Sequence, residues 1–288
     1  MTELLYQTDS YLKSFEAEII GVDDALHGAI LDQTAFYPGG GGQPYDSGWI
    51  ESYGVDLPVT RMKKSGGEIV HIFAEEASLP AVSSQVTGKI NWERRYQLMR
   101  THTAMHILCG VIFRDYGAQV TGGDMDPLKG RMDFEFESMH KELVQEIEQA
   151  INQEVEIDRQ VRTAILPRQE AFQIPDLIRT KINLLPEGIT EVRIVEIVGL
   201  DLQADGGTHV SSTKEVGHIH VVDYKSKGRS GASAAIRRLG REFEPNFLRG
   251  QEPEERQICL ATWSVPSRRH AGAAPPSRGR GLLFRHRI

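Results

Sequence analysis

The chain has 288 residues, of which 40% are hydrophobic and 25% charged, and its formal net charge is −7. This composition indicates a globular protein of one large or two ordinary domains, and the acidic body argues against a protein that coats nucleic acid nonspecifically. Two cysteines exclude a disulfide framework. The first residues do not resemble a signal peptide and no run of about 20 apolar residues occurs, so we expect a cytoplasmic protein without a membrane partner.

Short β-prone runs separated by Gly, Pro, Asp and Ser fill the first part of the chain. Many short strands with such turns are typical of a small β-barrel or sandwich. We therefore predict a β-rich, barrel-like domain over residues 1–90. Its strands are expected at Phe15–Val22, Ala29–Asp32, Gly48–Ile50, Glu68–Phe73 and Gln85–Ile90.

The pattern changes at Asn91, a candidate helix N-cap. Apolar residues at three- and four-residue steps predict a long helix over Trp92–Arg114, and a second helix is expected to be capped by Ser138. Helices interleaved with alternating strands predict an α+β domain over residues 91–227. The strands are expected at Met132–Phe136, Val161–Leu166, Val192–Val198 and Val216–Tyr224.

The last segment, residues 228–288, differs in composition from the rest. Its basic residues are all arginine, and Gly, Ala, Ser and Pro are abundant. Such a segment cannot bury a core, so we predict a poorly ordered tail with at most one short helix near Ala234–Phe243. An RNA-binding arm is the alternative interpretation.

Two histidines, His102 and His106, lie four residues apart in the predicted long helix. This spacing puts both imidazoles on one face, near enough to share a metal ion. His209 follows Asp205 and two glycines, whose tight backbone can aim both side chains at one point. Three imidazoles with a carboxylate or a water suit tetrahedral zinc with an open position. The pair is not a metalloprotease motif, because Thr103 stands where the general-base Glu would follow the first histidine.

A glycine-rich segment runs from Thr34 to Gly48 and has four successive glycines directly before Gln43. Such glycines expose backbone amides and let a ligand approach closely. No Lys-Ser or Lys-Thr follows them, so the segment is not a phosphate-binding P-loop. A flexible hairpin turn is the alternative.

Two further patterns have structural interpretations. Cys109 lies one turn after His106 on an apolar helix segment, which is typical of a buried, unreactive thiol. His218 and His220 alternate along a predicted strand and therefore share a face, where a surface or structural role is the default.

Three segments together resemble one family. They are Thr34–Gln43 (TAFYPGGGGQ), His102–His106 (HTAMH) and Gly206–Val210 (GGTHV). In order and separation they are similar to the editing domain of alanyl-tRNA synthetase and, more specifically, to its free-standing relatives, the AlaX alanyl-tRNA editing proteins. The resemblance covers roughly Leu12–Lys227 and implies a β-barrel-like N-terminal domain followed by a zinc-containing α+β editing domain. It also implies a deacylase that removes serine, and in some cases glycine, from misacylated tRNA(Ala).

The resemblance also implies roles for individual residues. His102, His106 and His209 would be zinc ligands, and Asp205 stands where the family often has cysteine. Asp205 is therefore either the fourth ligand or a group that orients a water or a ligand histidine. Gln43 matches a position that borders the amino-acid pocket.

Thr34 is placed near the same pocket, and either Thr34 or Gln43 is expected to bond the serine hydroxyl in catalysis. Three alternatives stay open: a tRNA-binding module that has lost catalysis, editing of threonyl-tRNA, and hydrolysis of a small ester or amide. Since the tail is expected to be dispensable, truncation after Arg229 should leave hydrolysis intact.

Overall fold

The computed structural model describes residues 2–65, 67–136, 139–180, 188–226 and 232–237. All of them belong to one compact unit, Met1–Glu242. Ser138 and most of the predicted tail lie outside the described residues. Within the described ranges, no helix has both the length and the apolar composition needed to cross a membrane.

The N-terminal part is built from strands. In chain order they are β1 (Glu3–Leu4), β2 (Ser14–Asp23), β3 (Gly28–Leu31), β4 (Gln33–Thr34), β5 (Gly48–Ser52), β6 (Val55–Val59), β7 (Arg61–Ser65), β8 (Glu68–Ile72) and β9 (Gln85–Ile90). Seven of them form an antiparallel half-barrel in the order β6-β5-β9-β2-β3-β8-β7, while β1 and β4 form a short parallel pair. The expected β-rich N-terminal part is confirmed, and its core holds Ile19, Leu31, Phe36 and Ile50 fully buried.

The two edge strands of this half-barrel, β6 and β7, were missing from the predicted set. Their sequences carry features that protect a sheet edge, with Pro58 in β6 and the charged residues Arg61, Lys63 and Lys64 in β7. Because only one face of each strand packs inward, the apolar pattern is too sparse to predict them.

The predicted long helix is confirmed as α1 (Trp92–Tyr116). Asn91 caps it by accepting a hydrogen bond from the Arg94 amide (3.2 Å), and Gly117 ends it in the left-handed conformation. Every residue from Leu98 to Ile112 is buried. A helix buried on all sides lies inside a core instead of covering one. The helix packs against α2 (Lys141–Glu156), the second helix that the sequence predicts.

The rest of the described chain contains seven strands, which form two further sheets, and a short helix. They are β10 (Val120–Asp126), β11 (Lys129–Phe134), β12 (Val161–Pro167), α3 (Arg168–Ala171), β13 (Glu191–Ile197), β14 (Asp201–Ala204), β15 (His220–Ser226) and β16 (Ala232–Arg237). One sheet has the order β10-β11-β16-β15 and the other β12-β13-β14. This mixture of helices and strand-rich sheets confirms a mixed α and β fold, while the domain limits 1–90 and 91–227 stay a prediction.

Three local expectations were wrong. His140, not Ser138, caps α2, because its ring accepts a hydrogen bond from the Leu143 amide (3.3 Å). Thr213–Val216 is a 3-10 turn, so the strand predicted from Val216 begins only at His220.

The third concerns the segment near Ala234, which is the strand β16 and not a helix. Ala232, Ala234 and Ile236 alternate along it and are buried, and β16 pairs on both sides, with β11 and β15. Alanine favours helices locally, but the two ladders override that preference. The strand lies within the range predicted as a tail, 228–288, so the folded part of the chain reaches at least Arg237.

Candidate metal centre

Two elements bring the four predicted metal ligands together. His102 and His106 lie on one face of α1, while Asp205 and His209 lie in the loop after β14. One ligand atom from each residue lies within 4.8 Å of the others. The three imidazole rings have centroids 4.3 to 5.1 Å apart. Residues separated by about a hundred positions therefore meet at one point, as the motifs predict.

The loop can approach α1 closely because Gly207 has no side chain and because Arg193 anchors the backbone at Asp205. A Cβ atom on Gly207 would lie 2.3 Å from Cε1 of His102, so only glycine fits there. Arg193 on β13 donates from Nη1 to the carbonyl oxygen of Asp205 (3.0 Å) and from Nε to that of Gln7 (2.8 Å). These bonds hold Asp205 in place.

Each histidine of the cluster has a partner for its Nδ1 atom. His102 donates from Nδ1 to Oε1 of Gln43 (2.9 Å), and His106 donates from Nδ1 to the carboxylate of Asp201 (3.0 Å). Amide and carboxylate oxygens only accept, so both rings carry their proton on Nδ1 and a lone pair on Nε2. Nδ1 of His209 lies 3.1 Å from Oγ1 of Thr103.

The Nε2 atoms of His102 and His209 face the carboxylate of Asp205. Nε2 of His102 lies 3.5 Å from Oδ1, and Nε2 of His209 lies 3.0 Å from Oδ2, which also accepts a hydrogen bond from the Gly207 amide (2.7 Å). An imidazole nitrogen and a carboxylate oxygen this close share either a proton or a metal ion. Ligands about 2.0–2.2 Å from tetrahedral zinc lie about 3.3–3.6 Å from one another, and three imidazoles with one carboxylate are a donor set that zinc accepts. The residues present therefore fit a zinc ion.

The protonation states of three of the four residues suit a cation. Burial lowers the pKa of His102 well below its ordinary value despite the nearby Asp205, and burial lowers the pKa of His209 to about 4. Burial acts in the same direction on His106, but the hydrogen bond and charge of Asp201 outweigh it and raise the pKa. Burial would raise the pKa of Asp205, yet the imidazoles outweigh it and hold this pKa well below its usual range. Neutral imidazoles and an ionised carboxylate are the forms that bind metals, so His102, His209 and Asp205 are in the required state, whereas a metal must displace a proton that Asp201 favours on His106.

Comparison with known proteins identifies the family. Residues 9–94 match the family model of class II (A) tRNA synthetases, and residues 192–239 match that of the second additional domain of threonyl and alanyl tRNA synthetases. The chain is 41% identical over 231 residues to the alanyl-tRNA editing protein AlaX-M of Saccharolobus solfataricus, an alignment that covers 80% of this chain and 95% of that protein. The chain belongs to the alanyl-tRNA editing protein family.

Other relatives agree with this assignment. AlaX-M of Methanosarcina mazei is 38% identical over 236 residues, covering 80% of this chain and 94% of that protein. The alanine–tRNA ligase of Ignicoccus hospitalis is 38% identical over 227 residues, which are 77% of this chain but 24% of the ligase. The family resemblance predicted from the three motifs is confirmed.

Gln43 of this alanyl-tRNA editing protein lies beside the metal cluster, with its polar atoms already bonded to protein. Its Oε1 accepts hydrogen bonds from His102 and from the Thr208 amide (3.0 Å), and its Nε2 donates to Oγ1 of Thr208 (2.9 Å). The Thr208 amide fixes the orientation of the side-chain amide, because only an oxygen can accept from it. These contacts orient His102, a candidate metal ligand. The role of Gln43 at the amino-acid pocket, expected from the sequence, stays a prediction.

Thr34 does not join the cluster. It is fully buried in the N-terminal core, where its Oγ1 accepts from the Phe36 amide (3.2 Å) and lies 2.9 Å from Nε2 of His71. His71 in turn lies 3.3 Å from the carbonyl oxygen of Ala29 through Nδ1. Thr34 therefore holds a buried histidine, and the structure gives it no contact with the metal ligands.

A cavity of about 560 Å³ adjoins the cluster. It is lined by His102, His106 and Asp205 together with Gly42, Gln203 and Arg179. Among the described residues that line the cavity, neither Gln43 nor Thr34 occurs. The cavity has the size that small-molecule sites usually have, about 300–1,000 Å³.

The sequence motifs missed three residues of this site. Asp201 orients His106 and accepts a hydrogen bond from Gln203 (2.6 Å). Asp201, Gln203 and Asp205 alternate along β14 and its continuation, so this period of two could have placed all three on one face.

Arg179 is the third missed residue. Its Nε lies 3.5 Å from Asp201, and its guanidinium stacks 3.7 Å from the ring centroid of Phe113. Its Nη1 atom is buried and has no hydrogen-bond partner among the described residues. No sequence pattern marks it.

Proposed function

We propose that the chain is a trans-editing hydrolase that removes serine, and also glycine, from misacylated tRNA(Ala) with one zinc ion held by the cluster. As a member of the alanyl-tRNA editing protein family it is an aminoacyl-tRNA deacylase. The observation that carries the proposal is the convergence of His102, His106, His209 and Asp205 on one point beside a cavity. We place this reaction in the cytoplasm.

Each residue of the cluster has a separate task in this proposal. His102, His106 and His209 present Nε2 lone pairs, and their Nδ1 partners keep the rings from turning. Asp205 adds a negative charge and is held by the Gly207 amide and Arg193. Zinc in such a site supplies a Lewis acid that can polarise a carbonyl oxygen or lower the pKa of a bound water.

The cavity would hold the aminoacyl group and the end of the tRNA. An aminoacyl ester is already reactive, so positioning it and a water is the main task of the protein. The buried Nη1 of Arg179 is a donor that lacks a protein partner, and a substrate oxygen would supply one. Gly41 and Gly42 line the same cavity and keep one wall free of side chains.

Selection of serine over alanine follows from polar groups at the cavity wall. Asp205 and Gln203 line the cavity. A serine hydroxyl can form an additional hydrogen bond with such groups, whereas an alanine methyl cannot, and this difference outweighs the small gain from burying a methyl group.

The test is a deacylation assay on Ser-, Gly- and Ala-charged tRNA(Ala) and on Thr-tRNA(Thr), each with and without a chelator. We expect fast hydrolysis of Ser-tRNA(Ala), slower hydrolysis of Gly-tRNA(Ala) and little of the other two, with activity lost on chelation and restored by zinc. Binding of tRNA(Ala) without hydrolysis of any ester would indicate a module that has lost catalysis. Preference for Thr-tRNA(Thr), or activity that a chelator does not change, would also contradict the proposal.

A further inference from the structure

A second group of metal-ligating side chains lies outside the cluster described above. Glu148 lies on α2, His220 is the first residue of β15, and His218 lies two residues before it. One ligand atom from each residue lies within 4.8 Å of the other two. Nδ1 of His220 is 3.2 Å from Oε1 of Glu148, and the centroids of the two imidazole rings are 4.4 Å apart. The two groups share no residue.

The backbone that carries these histidines is fixed by α2. Asn152, four residues after Glu148 on the same helix face, holds both polar groups of Ile219: its Nδ2 donates to the carbonyl oxygen (2.8 Å), and its Oδ1 accepts from the amide (2.9 Å). Oε2 of Glu148 accepts from the Val221 amide (2.7 Å). The backbone is therefore held by hydrogen bonds on both sides of His220. Binding of a metal ion then costs only the conformational entropy of the side chains.

We propose that Glu148, His218 and His220 form a second metal site that binds a divalent first-row transition-metal ion, for which zinc is the probe. Two imidazoles and one carboxylate are donors that zinc accepts, whereas calcium and magnesium prefer oxygen alone. Nδ1 of His220 and Oε1 of Glu148 share a hydrogen bond of 3.2 Å. This separation is close to the distance of about 3.3 Å between two ligands of tetrahedral zinc, so an ion replaces the shared proton with little movement of either side chain.

The exposure of the three ligands determines how tightly the second site binds a metal ion and what binding does to the protein. His218 is exposed, and the side chains of His220 and Glu148 keep 35% and 29% of their accessible surface. Three partly exposed ligands leave positions for water, so this site binds more weakly than the buried four-ligand cluster. A bound ion links α2 to β15 and stabilises the folded chain by mass action without contact with the editing cavity.

The test measures how many zinc ions the full-length protein binds, by equilibrium dialysis over a range of free zinc, together with the Tm and the deacylation rate. We expect two zinc ions per chain. The His218→Ala/His220→Ala double variant should bind one, lose the rise in Tm that the second equivalent causes, and keep the deacylation rate. The His102→Ala/His106→Ala/His209→Ala variant should retain the weaker site.

Two further variants keep the test decisive. Glu148→Gln preserves an acceptor for the Val221 amide but removes the charge, so we expect it to lower affinity for the second zinc by about tenfold or more. His140→Ala is the control for zinc stoichiometry alone: His140 is an exposed histidine 3.1 Å from Glu142, but it caps α2, so its loss changes the Tm with and without zinc. Zinc stoichiometry and Tm that do not change in the double variant, or a folded triple variant that binds no zinc, would overturn the proposal.

Discussion

The glycine-rich segment has two interpretations, which a substitution at Gln43 can distinguish: Gln43 either orients the metal ligand His102 or contacts the amino acid. Replacing Gln43 with Ala removes the acceptor of two buried donors, Nδ1–H of His102 and the amide of Thr208. Each orphaned donor costs about 1–3 kcal/mol. Loss of a group that orients a metal ligand typically lowers metal affinity by about 10- to 100-fold. We therefore expect Gln43→Ala to weaken zinc binding by that factor, and deacylation at limiting zinc to fall with it.

The assay pairs zinc affinity, measured by competition with a chelating dye, with deacylation of Ser- and Ala-tRNA(Ala). The ratio of the two rates should not change in Gln43→Ala, because Gln43 does not line the cavity. Gln43→Glu keeps both acceptor contacts and should bind zinc almost as the wild type does. Gln85→Ala is the control, since Gln85 is an exposed glutamine whose contact with Glu18 is 3.4 Å long.

One result would refute this reasoning about Gln43. If Gln43→Ala binds zinc with unchanged affinity but loses its preference for serine over alanine, Gln43 contacts the amino acid, as its position in the motif suggests. A stability loss alone would be visible in the Tm and would be shared by zinc-free protein.

Four further predictions follow from the contacts described. Burial lowers the pKa of His71 to about 4, so the unfolded chain binds the extra proton below about pH 6.5. The free energy of unfolding should therefore fall by about 3 kcal/mol between pH 6.5 and pH 4, and His71→Gln should flatten that dependence in urea titrations. Thr34→Ala removes the hydroxyl beside His71 and should lower the free energy of unfolding by about 1 kcal/mol with kcat unchanged. A chain that ends at Arg229 lacks β16 and should lose cooperative unfolding in circular dichroism, whereas one that ends at Glu242 should keep both folding and activity. Arg179→Met should lower kcat/KM by about 10- to 100-fold, because a charged hydrogen bond contributes about 1.5–3 kcal/mol.

Each of these predictions can fail in a distinct way. Loss of kcat in Thr34→Ala would return Thr34 to the catalytic pocket, where the sequence placed it. Full activity of the chain that ends at Arg229 would mean that β16 is dispensable despite its two ladders. Unchanged kinetics in Arg179→Met would remove Arg179 from substrate binding, and an unaltered pH dependence in His71→Gln would assign the acid sensitivity to other groups.

The parts that could be predicted from sequence are those whose signals are local. Asn91 and the apolar steps after it define α1, and the four-residue spacing of His102 and His106 puts both rings on one face. The glycines before His209 predict a loop that can approach another element closely, and Gly207 makes that approach. In each case the decisive information lies within a few residues.

The parts that were missed depend on distant partners. Gln43 is 59 residues from His102 and 165 from Thr208, so its hydrogen bonds have no local signature. The strand β16 is rich in alanine and becomes a strand only because β11 and β15 offer ladders on both sides. Asp201 was missed for a different reason: its alternation with Gln203 and Asp205 was present in the sequence but was not combined with the histidine motif.

The burial of α1 on every side limits how an editing enzyme of this kind can diversify. From Leu98 to Ile112 no position faces solvent, so a substitution that adjusts the fit around His102 or His106 must also suit the packing beneath it. The cavity walls outside the helix include Ile178 and Thr180, which are only half-buried and have less packing to preserve. Substitutions that change the preferred acyl group should therefore occur in those walls, while the sequence of the helix stays almost the same.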